Sequence, residues 1–97
     1  MRINVTAYDI RLGRRNDICR CPVARAIARK LHRTVDSGEV TVTGAMVMIA
    51  PKGRPQPITP STLIHLPEVV TNWILTYDRV HLPVRQPISF ELDYDAG

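Results

Sequence analysis

The chain has 97 residues, enough for one domain with a modest core and too few for two. Hydrophobic residues make up 44% and charged residues 23%, ordinary values for globular proteins that argue against wholesale disorder. No apolar run approaches the roughly 20 residues that a membrane span needs, and the first residues lack the apolar stretch of a secretory signal. We therefore expect a single domain over residues 1–97, located in the cytoplasm and without membrane contact.

Positive charge is concentrated in the first third of the chain, although the net charge is only +4. Residues 1–33 carry nine Arg or Lys against two Asp, whereas residues 34–97 carry four Arg or Lys against seven Asp or Glu. Such asymmetry is typical of a protein whose basic part binds an anionic partner. Mutual neutralisation of the two parts within the fold explains it equally well, so both interpretations stay open.

A strand and an amphipathic helix are the first elements that the sequence predicts. The alternation in RINVTA indicates a short strand, and YDIRLGRRND indicates a turn region with at most one helical turn before Gly13. In DICRCPVARAIARKLHR, Pro22 suits the first position of a helix, and Cys21 would then be its N-cap. Apolar and basic residues occupy opposite faces of this helix. The apolar face holds Val23, Ala24, Ile27, Ala28 and Leu31, and the basic face holds Arg25, Arg29, His32 and Arg33, with Lys30 at its margin.

A β-hairpin and a proline-rich loop come next. EVTVTGAMVMIA predicts two strands that turn at Gly44–Ala45, since Gly suits the first turn position. With Thr43 opposite Met46, the side chains of Val40, Val42, Val47 and Ile49 share one face. The segment PKGRPQPITPS, residues 51–61, contains four prolines and is expected to be an irregular loop.

The last elements are a second helix and a final strand. LPEVVTNWILTYDRV predicts a helix with a buried stripe of Val69, Val70, Trp73, Ile74 and Tyr77. ISFELDYDAG predicts a strand whose outer face is acidic. The order β-α-β-β-α-β indicates an α+β fold of the split βαβ, ferredoxin-like type. Two helices would cover one face of a four-stranded antiparallel sheet, with the last strand beside the first.

Two cysteines, Cys19 and Cys21, flank Arg20 at the start of the first predicted helix. A disulfide between them would close a small, strained ring, and cytoplasmic thiols are normally reduced. A zinc site would need two further ligands, and none of the three histidines has a familiar spacing. A thiol at a helix N-terminus beside Arg20 is expected to have a lowered pKa, yet no local motif ties a base to Cys21. We therefore favour cysteines with a structural role and keep a thiol-dependent or metal site at Cys19 and Cys21 as a further alternative.

Arg25, Arg29 and Arg33 recur every four residues along the first predicted helix and are called the arginine ladder here. A basic stripe of this kind is typical of proteins that bind phosphate backbones. The strands lack the aromatic residues on which RNA-binding sheets stack bases. Three interpretations remain: binding of an acidic protein, binding of nucleic acid, or a solvated face that pairs with Glu91, Asp93 and Asp95. The candidate binding residues, for protein or nucleic acid, are Arg20, Arg25, Arg29, Lys30, Arg33, Lys52 and Arg54.

Motifs of catalysis are missing from the sequence. It contains no phosphate-cradling glycine loop, no H-E-x-x-H and no G-x-S-x-G. We therefore predict that the chain is not an enzyme and has no catalytic residues, no metal and no cofactor.

Three stretches together, CRCPVARAIARKL, LPEVVTNWILTYDR and PISFELDYD, resemble a set of small uncharacterised proteins of tailed phages and prophages. These proteins have a Cys-Pro-Val-Ala helix start, an LPxxVxxWIxxYD helix and an FELD-type last strand. This chain departs from the pattern at its first cysteine, with C-x-C in place of C-x-x-C, which weakens a metal or redox role. The resemblance implies an accessory protein of a phage or mobile element that acts in the host-cell cytoplasm.

Small phage accessory proteins commonly occupy a surface on a host enzyme or an immune complex. The resemblance therefore implies a non-catalytic protein that binds and inhibits or modulates a host protein or an immune ribonucleoprotein complex. An anti-CRISPR-like inhibitor is one version of this function. Nucleic-acid binding through the arginine ladder is the alternative. The oligomeric state is left open, a homodimer included.

Overall fold

Three helices and two antiparallel sheets form the part of the chain that the structure, a computed structural model, describes: residues 1–53, 62–79 and 86–94. The predicted α+β class is confirmed. None of the helices in these ranges is long and apolar enough to cross a membrane. A single 3-10 turn, Val35–Ser37, precedes the second sheet. The other elements are β1 (Arg2–Val5), α1 (Ala7–Leu12), α2 (Pro22–Lys30), β2 (Val40–Thr43), β3 (Met46–Ile49), β4 (Thr62–His65), α3 (Glu68–Arg79) and β5 (Ile88–Glu91).

The first sheet joins the two ends of the described chain. β1 pairs antiparallel with β5, with Arg2 opposite Glu91. The Met1 ammonium group donates a hydrogen bond to the Leu92 carbonyl at 2.7 Å, and the Leu92 amide donates to the Met1 carbonyl at 2.8 Å. The backbone pairing of β1 with β5 therefore extends by one residue pair beyond the ends of the strands. The expected placement of the last strand beside the first is confirmed.

The second sheet contains the predicted hairpin and a strand that we did not predict. β2 and β3 pair with Thr43 opposite Met46, which is the expected register. Gly44 in the turn has a φ of 50°, in the left-handed region that favours glycine. The unpredicted strand, β4, follows the proline-rich segment and pairs with the free side of β3.

The specific ferredoxin-like arrangement of four strands in one sheet is not confirmed. Within the described residues the strands form separate sheets, in the orders β1-β5 and β2-β3-β4. β3 already has β2 on one edge and β4 on the other. On β2, the Val42 amide donates to the Ile18 carbonyl, and on β1 the Asn4 carbonyl accepts from the Arg29 side chain. These bonds occupy backbone groups that a continuous sheet would need for strand pairing.

Helix α2 connects the two sheets, because it packs against β1, α1 and β2. Its buried face is wider than predicted, since Pro22 and Ala26 are buried together with the expected apolar residues. The sheets contribute their inward-facing side chains to the same core. The main buried contributors from the strands and from α3 are Ile3, Val5, Val40, Val42, Val47, Ile49, Ile64, Val70, Ile74 and Phe90.

Two helices differ from the sequence expectation. The segment predicted as a turn forms α1, whose capping box joins the Thr6 hydroxyl to the Asp9 amide and the Asp9 carboxylate to the Thr6 amide. On α3, Val70, Ile74 and Tyr77 are buried as expected, but Val69 is 63% exposed. The predicted buried position of Val69 is therefore wrong, because the apolar stripe of α3 is narrower than its composition suggests.

Tyr77 attaches α3 to the connection between α1 and α2. Its hydroxyl lies 3.2 Å from the Ile10 carbonyl and 3.1 Å from the Gly13 carbonyl, and it donates to this pair. Its ring stacks on Trp73, with 5.6 Å between the ring centroids. Gly13 lies at the C-cap of α1, where a Cβ would stand 2.7 Å from the Asp9 carbonyl oxygen and from the ring of Pro22.

Gly13→Ala should therefore destabilise the protein. The added methyl group would force apart the end of α1 and the start of α2, at a cost of about 1–3 kcal/mol in the free energy of unfolding. Urea denaturation followed by circular dichroism measures this loss. Arg14→Ala, at the neighbouring exposed residue, is the control and should change the free energy by less than about 0.5 kcal/mol. Equal stability of Gly13→Ala and the unmodified protein would contradict this packing.

Candidate anion-binding surface

Asp9 is the only acidic residue that the described structure buries completely, and it sits beneath the arginine ladder. Arg29 donates to both of its carboxylate oxygens, at 2.5 Å to Oδ1 and 2.8 Å to Oδ2. The Thr6 amide and hydroxyl donate to Oδ2 at 2.9 and 3.1 Å. The Nη2 of Arg29, which donates to Asp9 Oδ2, also donates to the Asn4 carbonyl at 2.9 Å. Arg29 is thus fixed to α1 and β1 at once.

These contacts lower the pKa of Asp9. Burial on its own would raise the pKa of this carboxyl group. The hydrogen bonds from Arg29 and Thr6, with the charge of Arg29, outweigh burial and hold the pKa below its ordinary value of 3.8. Asp9 is therefore ionised throughout the neutral range and neutralises one guanidinium of the ladder.

Arg25 shares the same carboxylate from a greater distance. Its Nε lies 3.9 Å from Asp9 Oδ1, is buried and has no hydrogen-bond acceptor within the described residues. Its guanidinium carbon lies 5.9 Å from the centre of the Tyr8 ring, and that of Arg11 lies 5.4 Å from the same centre. The Tyr8 ring is 54% exposed. One carboxylate thus faces two arginines of the ladder, which leaves surplus positive charge on this side of the molecule.

Two further arginines of the candidate set, Arg33 and Arg20, are bound by other carboxylates. Arg33 donates to Glu39 Oε1 at 3.0 Å and to the Ala50 carbonyl at 2.6 Å, in a pair whose side chains are both about nine-tenths buried. Arg20 donates to Asp36 Oδ1 at 2.8 Å and also pairs with Asp17. These contacts are structural, so the predicted solvent-facing position of Arg33 is wrong.

Internal pairing therefore occurs, but two of the expected partners, Glu91 and Asp93, are wrong for the arginine ladder. Glu91 pairs instead with Arg2 at 3.7 Å, and both side chains are largely exposed. Asp93 has no ion pair within the described ranges, and Asp95 lies outside them. The arginine ladder is partly neutralised by two carboxylates, Asp9 of α1 and Glu39, the residue before β2.

Two lysines of the candidate set are exposed and make no ion pair within the described residues. Lys30 is the last residue of α2, and Lys52 lies in the turn that follows β3. Arg54, the remaining candidate, lies outside the residues that the structure describes, as do most of the predicted loop over 51–61 and His81.

A cleft of about 470 Å³ opens between β1 and the C-terminal half of α2 and is called the basic cleft here. No carboxylate lines it, although Asp9 lies behind Arg29. Its lining contains three cationic side chains, one imidazole and one amide. The residues that line the basic cleft are Arg2, Asn4, Ala26, Arg29, Lys30 and His32.

Sequence reasoning identified Arg29 and Lys30 in this set and missed Arg2 and Asn4. The alternation of β1 places Arg2 and Asn4 on its outer side, which was a usable signal for their exposure. What the sequence lacked was the position of α2 beside β1, because that contact joins segments more than 20 residues apart. His32 belongs to the predicted basic face of α2 but not to the candidate binding residues.

The two cysteines lack the environment of reactive thiols. Cys21 is the N-cap of α2, as predicted, and its Sγ accepts a hydrogen bond from the Ala24 amide at 3.4 Å. Burial raises the pKa of Cys21 to about 11. Burial, followed by the nearby charge of Asp17, also raises the pKa of Cys19. The expected lowering of the pKa by the helix terminus and Arg20 is therefore wrong, because desolvation is the larger effect.

Metal binding finds no support in the described part of the chain either. No group of three or more His, Cys, Asp or Glu side chains in these ranges is placed to hold a metal ion. The thiol or metal alternative at Cys19 and Cys21 therefore gains nothing from the geometry.

Asp9→Asn should destabilise the protein in a pH-dependent way. Removing one partner of a fully buried pair costs about 3–5 kcal/mol, and half-exposed Arg29 reduces this to about 2–3 kcal/mol. Because the pKa of Asp9 is lower in the folded chain, its contribution is present above about pH 4 and is lost as the pH falls below that value. Urea denaturation should show a larger difference between the two proteins at pH 7 than at pH 3. Asp93→Asn, at an exposed carboxylate, is the matched control and should leave stability unchanged; a similar loss in both variants would contradict the assignment.

Thiol labelling should distinguish the two cysteines. At pH 7, a disulfide reagent should react slowly with Cys19 and should reach Cys21 only when the protein unfolds, because Cys21 is both buried and protonated. Mass spectrometry of time points in zero and in high urea measures this. Fast labelling of Cys21 in the native protein would revive the thiol-dependent alternative.

Comparison with known proteins finds no match for this chain among protein-family models, curated proteins or solved structures. The resemblance to phage and prophage proteins therefore stays a prediction.

Proposed function

We propose that this chain is a small non-catalytic accessory protein of a phage or mobile element, which binds an acidic surface of a host protein or immune complex and inhibits or modulates it. An anti-CRISPR-like inhibitor is one version. The observation that carries the proposal is the basic cleft, where three cations and an imidazole line one open depression without a carboxylate in its lining. Charge complementarity of this kind steers a partner and fixes its orientation.

The distribution of the arginines favours a protein partner over nucleic acid. Proteins that bind a phosphate backbone use many free cations along one face. Here Arg20 and Arg33 are held by carboxylates, and Arg25 and Arg29 share Asp9. The remaining basic area is compact, which suits a local acidic patch on a protein.

Nucleic-acid binding is the second candidate, and one observation favours it. Tyr8 is an exposed aromatic ring next to the guanidinium groups of Arg11 and Arg25. A base stacked on such a ring, with its phosphate on the arginines, is a common mode of single-strand binding. A single ring offers one stacking position, so we rank this candidate below a protein partner.

The variants for a test must spare the structural arginines. Charge reversal at Arg29 or Arg33 would place a carboxylate against Asp9 or Glu39 and would unfold the protein, so loss of binding would have no meaning. Lys30 lines the cleft and makes no ion pair within the described residues, which makes it the suitable position. Lys52 provides the same change of charge away from the cleft.

A tagged pull-down from host lysate, with and without nuclease, should recover a protein whose affinity falls about tenfold with Lys30→Glu and is unchanged with Lys52→Glu. Recovery must survive nuclease, and circular dichroism must show that both variants are folded. If binding disappears on nuclease treatment and weakens steeply with salt, the nucleic-acid candidate replaces the proposal. Loss of the partner with Lys52→Glu alone would move the interface to the turn after β3.

A further inference from the structure

The basic cleft is lined almost entirely by hydrogen-bond donors. Ser89 donates to Asn4 Oδ1 at 2.8 Å, so the acceptor of that amide is occupied and its two Nδ2 hydrogens have no acceptor in the described chain. Arg29 donates hydrogen bonds from three of its five N–H groups, two to Asp9 and one to the Asn4 carbonyl. Its Nε hydrogen and one Nη1 hydrogen therefore remain. Lys30 adds three more donors.

These donors are held in place before any ligand arrives. Arg29 is fixed by the buried carboxylate and by the backbone of β1, and Asn4 is oriented by the hydroxyl of Ser89 on the neighbouring strand. Groups that are already ordered lose less entropy on binding, which raises affinity. Lys30 and Arg2 also line the cleft and add positive charge, although Arg2 shares its charge with the exposed carboxylate of Glu91.

His32, which also lines the basic cleft, has an unusual backbone conformation. It follows α2 with a φ of 56°, a left-handed conformation at which glycine is the usual residue after a helix. A side chain other than glycine is uncommon there and costs stability. In this chain the residue at that position presents an imidazole to the cleft.

The geometry points to a phosphate-binding site: we propose that the basic cleft holds a phosphate group, with Arg29 and Asn4 as fixed donors and Arg2, Lys30 and His32 around them. The fork of Arg29 is already filled by Asp9, so a further anion would bind through separate donors and not through one arginine fork. A tetrahedral dianion instead offers several oxygens to donors that converge from different directions. This inference goes beyond the proposed protein partner and does not depend on it.

The ligand should be recognised by its phosphate and not by a base. The residues that line the cleft include no Phe, Tyr or Trp, and Ala26 is the only apolar one. Free phosphate or a small polyphosphate, and the backbone of a nucleic acid, carry the same chemistry. The experiment therefore includes both sources.

Titration of ¹⁵N-labelled protein, followed by NMR at constant ionic strength, tests the site with inorganic phosphate, tripolyphosphate and a short oligothymidylate. We expect saturable shifts that are centred on the Asn4 side-chain amide, Lys30 and His32. Chloride at the same ionic strength should cause none. Affinity for tripolyphosphate equal to that for the oligonucleotide would assign the site to small phosphates, and affinity that rises with oligonucleotide length would assign it to a nucleic-acid backbone.

Three variants make the test specific. Asn4→Asp keeps the acceptor for Ser89 but replaces the donor amide with a negative charge, and should lower phosphate affinity by at least about tenfold. Lys30→Ala should lower it by about fivefold to tenfold, whereas Lys52→Ala, the charge-matched control, should not change it. His32→Gly should bind phosphate more weakly without loss of stability, because glycine suits its φ.

The proposal would be overturned if chemical shifts changed linearly with phosphate concentration, without saturation, at all basic residues. Unchanged affinity of Asn4→Asp for phosphate would overturn it as well. The two proposals fail separately. If the chain recovers a protein partner but binds no phosphate, the proposed function stands and the phosphate site is overturned. Saturable phosphate binding without a protein partner leaves only the phosphate site.

Discussion

The buried carboxylate of Asp9 is the interaction on which the rest of this surface depends. It closes the capping box of α1, and through Arg29 it fixes α1 to α2. The same guanidinium reaches the Asn4 carbonyl, so β1, α1 and α2 meet around one ion pair. A charge taken out of water is stable only when it is paired and hydrogen-bonded, and Asp9 satisfies this condition with four hydrogen bonds from Thr6 and Arg29. The position of α2 beside β1, and therefore the basic cleft, follows from this contact.

Helical spacing explains where the arginines lie but not what each of them does. A repeat of four residues places the ladder on one side of α2, yet its three members have different environments. Arg29 spans three elements, Arg25 adds charge near Asp9 without a hydrogen bond from its Nε, and Arg33 makes a buried pair with Glu39. Much of the arginine ladder therefore serves to hold elements of the fold together. The exposed basic residues of α2 itself are Arg29 and Lys30 at its C-terminal end, where they adjoin residues from β1.

Local pattern predicted the elements well and their assembly poorly. The hairpin register followed from the alternation around Gly44, and the N-cap role of Cys21 followed from Pro22, because both depend on neighbours in sequence. α1 was missed although Thr6 and Asp9 carry its capping signal. β4 was missed because its four residues lie between a proline-rich segment and α3, and the separation of the sheets depends on the edge that β4 occupies. The partners of the ladder and the walls of the cleft depend on long-range contacts, which periodicity does not encode.

The pairing of β1 with β5 has a consequence for how the chain folds. The hydrogen bond between Met1 and Leu92 joins residues that are 91 positions apart, whereas the β2–β3 hairpin closes over a few residues. Distant pairing carries a larger entropic cost of loop closure and slows folding. During synthesis the hairpin and α2 can form while β1 still lacks its partner strand. One edge of β1 then stays unpaired until β5 leaves the ribosome, so β1, although it precedes the other described strands in the sequence, is among the last to be completed.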